Sequence, residues 1–173
     1  MIGIVVGTNR KEAVSEQVAA YYAALLNERG QTADIIRLTE LPPDFIATAL
    51  YEHAGKNEQF NRVRDRLLAA SRLVFIVPEY NGSFPGVLKA FLDGFPYPSG
   101  LEGKRIALVG VSTGIQGGAL ALSHLNDIFS YLHADVVGVR VKLMQIDRYL
   151  QEGKITHPFY NQLLSMQIDA LLR

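Results

Sequence analysis

Five short apolar runs, separated by stretches whose apolar residues recur every three or four positions, constrain the fold of this chain more than any other feature. The runs are Ile2–Val6, Ala33–Leu38, Leu73–Val77, Ile106–Val111 and Val136–Val141, of which Ala33–Leu38 is more mixed and suits an edge strand. A continuous apolar run is typical of a strand covered on both faces, and the wider spacing is typical of a helix packed on one side. Strand and helix therefore alternate, which predicts an α/β fold with a parallel sheet and helices on both faces.

The segments between the runs predict five helices. Four show sustained helical spacing, and a shorter helix is expected after Pro85. The longest irregular stretch is Thr39–Asn57, and a stretch of that length is usually functional or partly helical. Neither a repeat nor a linker is visible in the 173 residues, so we expect one domain over residues 1–173.

Composition excludes several kinds of chemistry. The chain has no cysteine, which rules out disulfides, thiolate metal sites and thiol redox catalysis, and its four histidines lack metal-ligand spacing. Basic and acidic residues number 17 each, so the chain has no general attraction for nucleic acid or anionic lipid, and a bound anion needs a local site. Without a signal-type segment or a long apolar run, we expect a cytoplasmic protein outside the membrane.

Polar residues and glycines gather in the segments that follow the first, third and fourth apolar runs. In an open α/β sheet, ligands bind beyond the carboxyl ends of the strands, where the strand order reverses. The first segment offers the hydroxyls of Thr8 and Ser15, and Arg10 can fork onto a phosphate. It lacks the glycine spacing of dinucleotide-binding and P-loop motifs. It fits either a phosphate site at a helix N-terminus or an ordinary capped helix with a solvated arginine.

The other two segments contain groups that suit a planar heterocycle. Pro78–Gly86 combines a carboxylate, a phenol, an amide and a hydroxyl, a mixture that can bind both the polar edge and the flat face of a ring. Its Asn81-Gly82 pair is also typical of a simple turn. The three glycines of Ser112–Gly118 either let the backbone approach a ligand or only permit a tight passage from strand to helix.

Taken together, these segments resemble the NAD(P)H-dependent FMN reductase family, which includes quinone, azo-dye and chromate reductases. Pro78–Lys89 carries the family's most specific motif complete, as Pro-Glu-Tyr-Asn-Gly-Ser-Phe-Pro-Gly-Val-Leu-Lys. Gly7–Arg10 stands for its Gly-Ser/Thr-x-Arg opening, and Ser112–Gly118 matches its Ser-x-Gly-x-x-Gly-Gly pattern. Ala13 stands where many members have serine, and Asn126 where many have arginine. The resemblance implies a flavodoxin-like three-layer sandwich whose five parallel strands are in the order 2-1-3-4-5.

The resemblance also implies where the cofactor FMN lies, with its phosphate on the first segment and its ring between the other two. The residues implied are Thr8, Arg10 and Ser15 for the phosphate; Pro78, Glu79, Tyr80, Asn81 and Gly82 for the ring; and Ser112, Thr113 and Gly114 for the ring or ribityl side. We assign no catalytic residue, because a bound flavin carries the redox chemistry itself. The family further implies a homodimer or homotetramer, and the apolar stretch Phe95–Tyr97 suits a subunit contact.

The function implied is hydride transfer from NADH or NADPH to FMN and on to a small acceptor, such as a quinone, an azo compound, chromate or free flavin. Two other functions stay open: a flavodoxin-type electron carrier and a non-enzymatic flavin-binding module. A carrier usually has a strongly acidic docking surface, and the zero net charge of this chain argues against one. No arginine cluster can be assigned from the sequence to the 2′-phosphate of NADPH.

Overall fold

A computed structural model, which describes residues 1–173, contains a central parallel sheet of six strands. The strands are β1 (Ile2–Val6), β2 (Ala33–Arg37), β3 (Arg72–Pro78), β4 (Arg105–Val111), β5 (Asp135–Val136) and β6 (Val141–Leu143). Their order is β2-β1-β3-β4-β5, and β6 also pairs with β4. In this register Ile4 lies opposite Ile35 on one side and Val74 on the other. The predicted order and parallel pairing are confirmed.

Helices cover both faces of the sheet, as predicted. They are α1 (Val14–Asn27), α2 (Phe45–Thr48), α3 (Glu58–Ala69), α4 (Gly86–Asp93), α5 (Ala119–Tyr131), α6 (Ile146–Tyr149) and α7 (Pro158–Leu172). The buried residues of α3, α4 and α5 belong to one hydrophobic core, and those of α1 and α7 belong to a second core across the sheet. No helix is long and apolar enough to cross a lipid bilayer.

The two cores explain why the strands are continuous apolar runs. Successive side chains of a strand point to opposite faces, so a strand covered on both faces needs apolar residues at every position. In β3, Phe75 and Val77 enter one core, while Val74 and Ile76 enter the other. These strands end in the loops that carry the candidate site.

The fifth strand differs from the prediction of a single strand over Val136–Val141. Two short strands, β5 and β6, pair with different parts of β4 instead. Between them, the fully buried amide of Gln167 donates from Nε2 to the Leu108 carbonyl at 2.9 Å and to the Val139 carbonyl at 2.7 Å. The Gln167 side chain of α7 thus satisfies the carbonyls at the break between β5 and β6. The apolar run in the sequence did not reveal this break.

Two connections contain short elements. The predicted irregular stretch Thr39–Asn57 is partly helical, with α2 flanked by single 3₁₀ turns, and Phe45 stacks on Phe60 at a centroid distance of 5.8 Å. After β6, α6 leads into a hairpin of β7 (Leu150–Gln151) and β8 (Lys154–Ile155). The five predicted helices are present, and α2 and α6 are additional.

Candidate active site

The first loop joins β1 to α1 and is fixed against its neighbours. Gly7 passes so close to β3 that a Cβ atom would lie 3.1 Å from the Ile76 carbonyl oxygen. The Thr8 side chain is buried, its Oγ1 lies 3.0 Å from the Tyr80 hydroxyl, and it accepts a hydrogen bond from the Arg10 amide at 3.2 Å. Thr8 therefore ties the first loop to the second through its hydroxyl oxygen.

The start of α1 leaves polar groups without partners. Ala13 at the N-cap position provides no side-chain cap, and the amides of Val14 and Ser15 donate to no protein acceptor. Ser15 is 1% exposed, and its Oγ is a buried oxygen with no hydrogen-bond partner. Unpaired amides and the helix dipole favour an anion at such a terminus, and the orphaned hydroxyl is a further donor for it.

The second loop leaves β3 and turns back at Asn81-Gly82. Tyr80 and Ser83 exchange backbone hydrogen bonds at 2.8 and 3.1 Å, and Asn81 and Gly82 have φ of 52° and 73°. These are the left-handed values that a tight two-residue hairpin turn requires, and Asn-Gly adopts them most easily. The amides of Asn81 and Gly82 donate to no protein acceptor, so the turn presents two free N–H groups.

The third loop joins β4 to α5 and closes on the second. The Gly118 amide donates to Glu79 Oε2 at 3.0 Å, and the Gly114 amide donates to Ser112 Oγ at 2.9 Å. A Cβ atom on Gly110 would lie 2.2 Å from the Gly117 carbonyl oxygen, so the loop folds directly onto β4. Glu79 therefore holds two loops together with one carboxylate oxygen.

The three loops enclose a cleft of about 290 Å³ at the carboxyl ends of β1, β3 and β4. Seven of the predicted residues line it: Arg10, Ser15, Pro78, Glu79, Tyr80, Ser112 and Thr113. Thr8 contacts the lining residue Tyr80, while Asn81, Gly82 and Gly114 lie in the same loops without lining the cleft. The sheet topology thus gathers all three predicted segments at one site.

Sequence reasoning missed part of the lining. Ile146 enters the cleft from α6, and its amide donates to the Ser112 carbonyl at 3.2 Å. Glu12, Ala13 and Val14 line the opposite wall, and Glu12 has the left-handed φ of 54°. Ala13 and Glu12 could have been included from their place in the first loop, but no sequence pattern identified Ile146 because α6 is only one turn long.

Comparison with known proteins identifies one family. The profile of the NADPH-dependent FMN reductase family matches residues 1–145. A 2-hydroxy-1,4-benzoquinone reductase from Burkholderia is 33% identical over 76% of this chain and 70% of the relative. A quinone reductase from Pseudomonas putida is 32% identical over 68% of this chain, and the alignment covers 62% of that relative's length.

Solved structures share the fold. The flavoenzyme NAD(P)H:(acceptor) oxidoreductase FerB from Paracoccus denitrificans superposes with a TM-score of 0.80 at 24% identity, covering 99% of this chain and 94% of that one. A flavodoxin from Pseudomonas aeruginosa superposes with a TM-score of 0.60 at 16% identity, covering 99% of both chains. At these identities the likeness establishes the flavodoxin-like fold.

Proposed function

This chain belongs to the NADPH-dependent FMN reductase family, an oxidoreductase family that uses FMN and NAD(P)H, and we propose that its three-loop cleft binds the FMN. The observation that carries this assignment is the buried, unpartnered Ser15 hydroxyl at the uncapped start of α1. A buried hydroxyl without a partner is costly, so its persistence at the cleft wall favours a bound acceptor.

The phosphate of FMN fits the first loop. The free amides of Val14 and Ser15 and the Ser15 hydroxyl are donors for its oxygens, and Arg10 on the cleft wall supplies a positive charge. Since the chain has no net charge, this attraction is local. Thr8 holds the loop in place through its contact with Tyr80, and its hydroxyl is a further donor for the phosphate when the Tyr80 hydroxyl donates in that contact.

The flavin ring fits between the second and third loops. Pro78 and Tyr80 offer apolar surface to one side of the cleft, and Ser112 and Thr113 line the other. The free amides of Asn81 and Gly82 suit the polar edge of the ring, where negative charge grows on reduction. Gly114 keeps Ser112 oriented through its amide.

FMN supplies the hydride-accepting and hydride-donating ring, and the chain binds it, orients it and limits its contact with water. No side chain is assigned a catalytic role. We propose a small molecule as the acceptor, with quinones the first class to test because relatives at 33% and 32% identity are named quinone reductases. We also propose that the chain forms a single cytoplasmic domain and self-associates through the surface around Tyr97, which is 96% exposed.

Anaerobic reduction tests this function. The purified protein, loaded with FMN and mixed with NADPH or NADH, is expected to lose the visible flavin absorbance on the timescale of turnover. Addition of a benzoquinone should restore the absorbance. A protein that binds FMN but is not reduced by either nucleotide would instead fit an electron carrier or a binding module.

A further inference from the structure

A second cavity adjoins the FMN cleft on the side of β2. It measures about 340 Å³, and three basic side chains line it: Arg10, Lys11 and Arg37. We call it the basic cavity. It shares Arg10, Glu12 and Ala13 with the cleft, so the first loop separates the two spaces. No local sequence pattern indicates this grouping, because Arg37 is 26 residues away from Lys11 and reaches it only through the pairing of β1 with β2.

Lys11 and Arg37 are the cations of the basic cavity that remain for a second anion, because Arg10 is the one proposed for the FMN phosphate. The side chains of Arg10 and Lys11 make no hydrogen bond or ion pair within the protein, and the lining also contains two carboxylates, Glu12 and Glu16. Arg37 is held by Glu16, whose Oε1 accepts from Nε at 2.8 Å and lies 2.6 Å from NH2. NH1 of Arg37 donates to the Ile35 carbonyl at 3.3 Å. A guanidinium carries five N–H groups, so this one is oriented while two stay free.

A third, smaller cavity continues from the basic one and has a different chemistry. It measures about 170 Å³ and shares Lys11 and Thr39 with the basic cavity. Leu41, Pro42 and Phe45 give it an apolar wall. A cationic space next to a slot whose wall is partly apolar suits a phosphorylated nucleoside, whose base is flat and whose phosphate is charged.

We propose that the basic cavity binds the 2′-phosphate of NADPH, with the adenine in the adjoining apolar slot, and that Lys11 and Arg37 make NADPH the preferred cosubstrate. This inference rests on the proposed function, because a nicotinamide that passes hydride to FMN in the cleft must lie against the flavin ring. A dinucleotide held there extends beyond the cleft, and the basic cavity is the space across the shared loop wall. The Thr39 hydroxyl, which has no partner in the protein, completes the set of donors.

Steady-state kinetics of the FMN-loaded enzyme provide the first test. The wild-type chain should have a lower KM for NADPH than for NADH. Each of the two variants Arg37→Gln and Lys11→Gln should raise the KM for NADPH about tenfold, because it removes one charge-assisted contact at a partly exposed site. Neither variant should change the KM for NADH. The unchanged NADH kinetics show that the variants are folded. Lys154→Gln, which removes the same charge from β8, should alter neither value.

Direct binding provides the second test and separates this inference from the proposed function. Titration calorimetry of the FMN-loaded chain with 2′,5′-ADP and with 5′-AMP should show about tenfold tighter binding of 2′,5′-ADP, lost in Arg37→Gln. Equal binding of the two nucleotides, or displacement of FMN by 2′,5′-ADP, would overturn the assignment of the cavity. If neither NADH nor NADPH reduces the flavin, the proposed function fails, whereas the 2′,5′-ADP titration still reports on the cavity.

Discussion

The hydroxyl of Ser15 has opposite energetic effects in the two states that we propose for the cleft. In the cofactor-free chain it is a buried oxygen without a partner, which costs about 1–3 kcal/mol. With a phosphate beside it, the same hydroxyl becomes a donor. A buried polar group that lowers the stability of the ligand-free chain in this way indicates a binding role.

Ser15→Ala should therefore stabilise the FMN-free chain and weaken FMN binding. We expect the free energy of unfolding in urea to rise by about 1 kcal/mol and the affinity for FMN to fall about fivefold. Ser123→Ala, an exposed serine on α5, is the matched control and should change neither quantity. A loss of stability with unchanged FMN affinity would place the phosphate elsewhere.

Arg10 is the residue that should separate FMN from riboflavin. FMN differs by a phosphate of about −1.5 to −2 charges, so Arg10→Ala should weaken FMN binding about tenfold and leave riboflavin binding unchanged. We take the lower end of the range for a charge-assisted contact because Arg10 is exposed. Paired titrations of both flavins by fluorescence quenching measure this. Equal weakening of the two would mean that Arg10 supports the fold and not the phosphate.

The candidate site residues in the first and second loops could be predicted because the members of each set are close together in the sequence. Ser15 and Arg10 lie in one loop, and Pro78–Gly82 in another, so motifs reveal them. Arg37 and Ile146 reach their cavities through strand pairing and a one-turn helix, and no local pattern encodes either. The contact of Thr8 with Tyr80, 72 residues away, could not be predicted, because only the fold creates it.

At the scale of elements, α7 completes the sheet as well as covering it. Gln167 bridges the carbonyls of Leu108 and Val139, and its own Oε1 accepts from the Tyr22 hydroxyl on α1 at 3.2 Å. The strands β1, β3 and β4 could be predicted because their residues are apolar and buried on both faces for most of their length. The mixed run of β2, in which only Ile36 is buried, fits an edge strand. The break between β5 and β6 could not, because it depends on one amide 28 residues beyond Val139.

Gln167→Leu should destabilise the protein by about 2–4 kcal/mol, since it leaves the buried Leu108 carbonyl, the partly buried Val139 carbonyl and the buried Tyr22 hydroxyl without this partner. Urea unfolding followed by circular dichroism measures the change. Gln162→Leu, at an exposed position of the same helix, controls for composition and should fall within about 0.5 kcal/mol of the wild type. An equally small effect at Gln167 would show that the interrupted ladder needs no bridge.

At the scale of the whole molecule, we expect one cleft to serve both half-reactions. Three loops converge on a single space, and with FMN bound there as proposed, the nicotinamide and the acceptor should occupy it in turn. We expect ping-pong kinetics, with parallel lines in double-reciprocal plots when NADPH and a benzoquinone are both varied. Intersecting lines would indicate that both substrates bind together and would contradict a shared position.

The surface around Tyr97 bears on the oligomeric state. Tyr97 is 96% exposed and Tyr131 is 80% exposed, whereas Phe95 is half-buried and packs edge-on against Phe91 at 5.1 Å. The free part of the predicted contact is thus Pro96–Pro98, with Phe95 serving as its anchor in the core. Between α4 and α5 a groove of about 330 Å³ is lined by Leu92, Ile128 and Leu132. Exposed aromatics near an apolar groove favour self-association.

Light scattering of the FMN-loaded chain at high micromolar concentration should give a mass above that of one 19.1 kDa chain. Tyr97→Ser should shift the distribution toward the monomer, because the exposed ring is the largest apolar group that a partner could cover. Tyr51→Ser is the control, since Tyr51 is 78% exposed in the stretch between α2 and α3 and should leave the mass unchanged. A wild-type mass equal to one chain would contradict self-association, and a decrease in both variants would move the contact away from Tyr97.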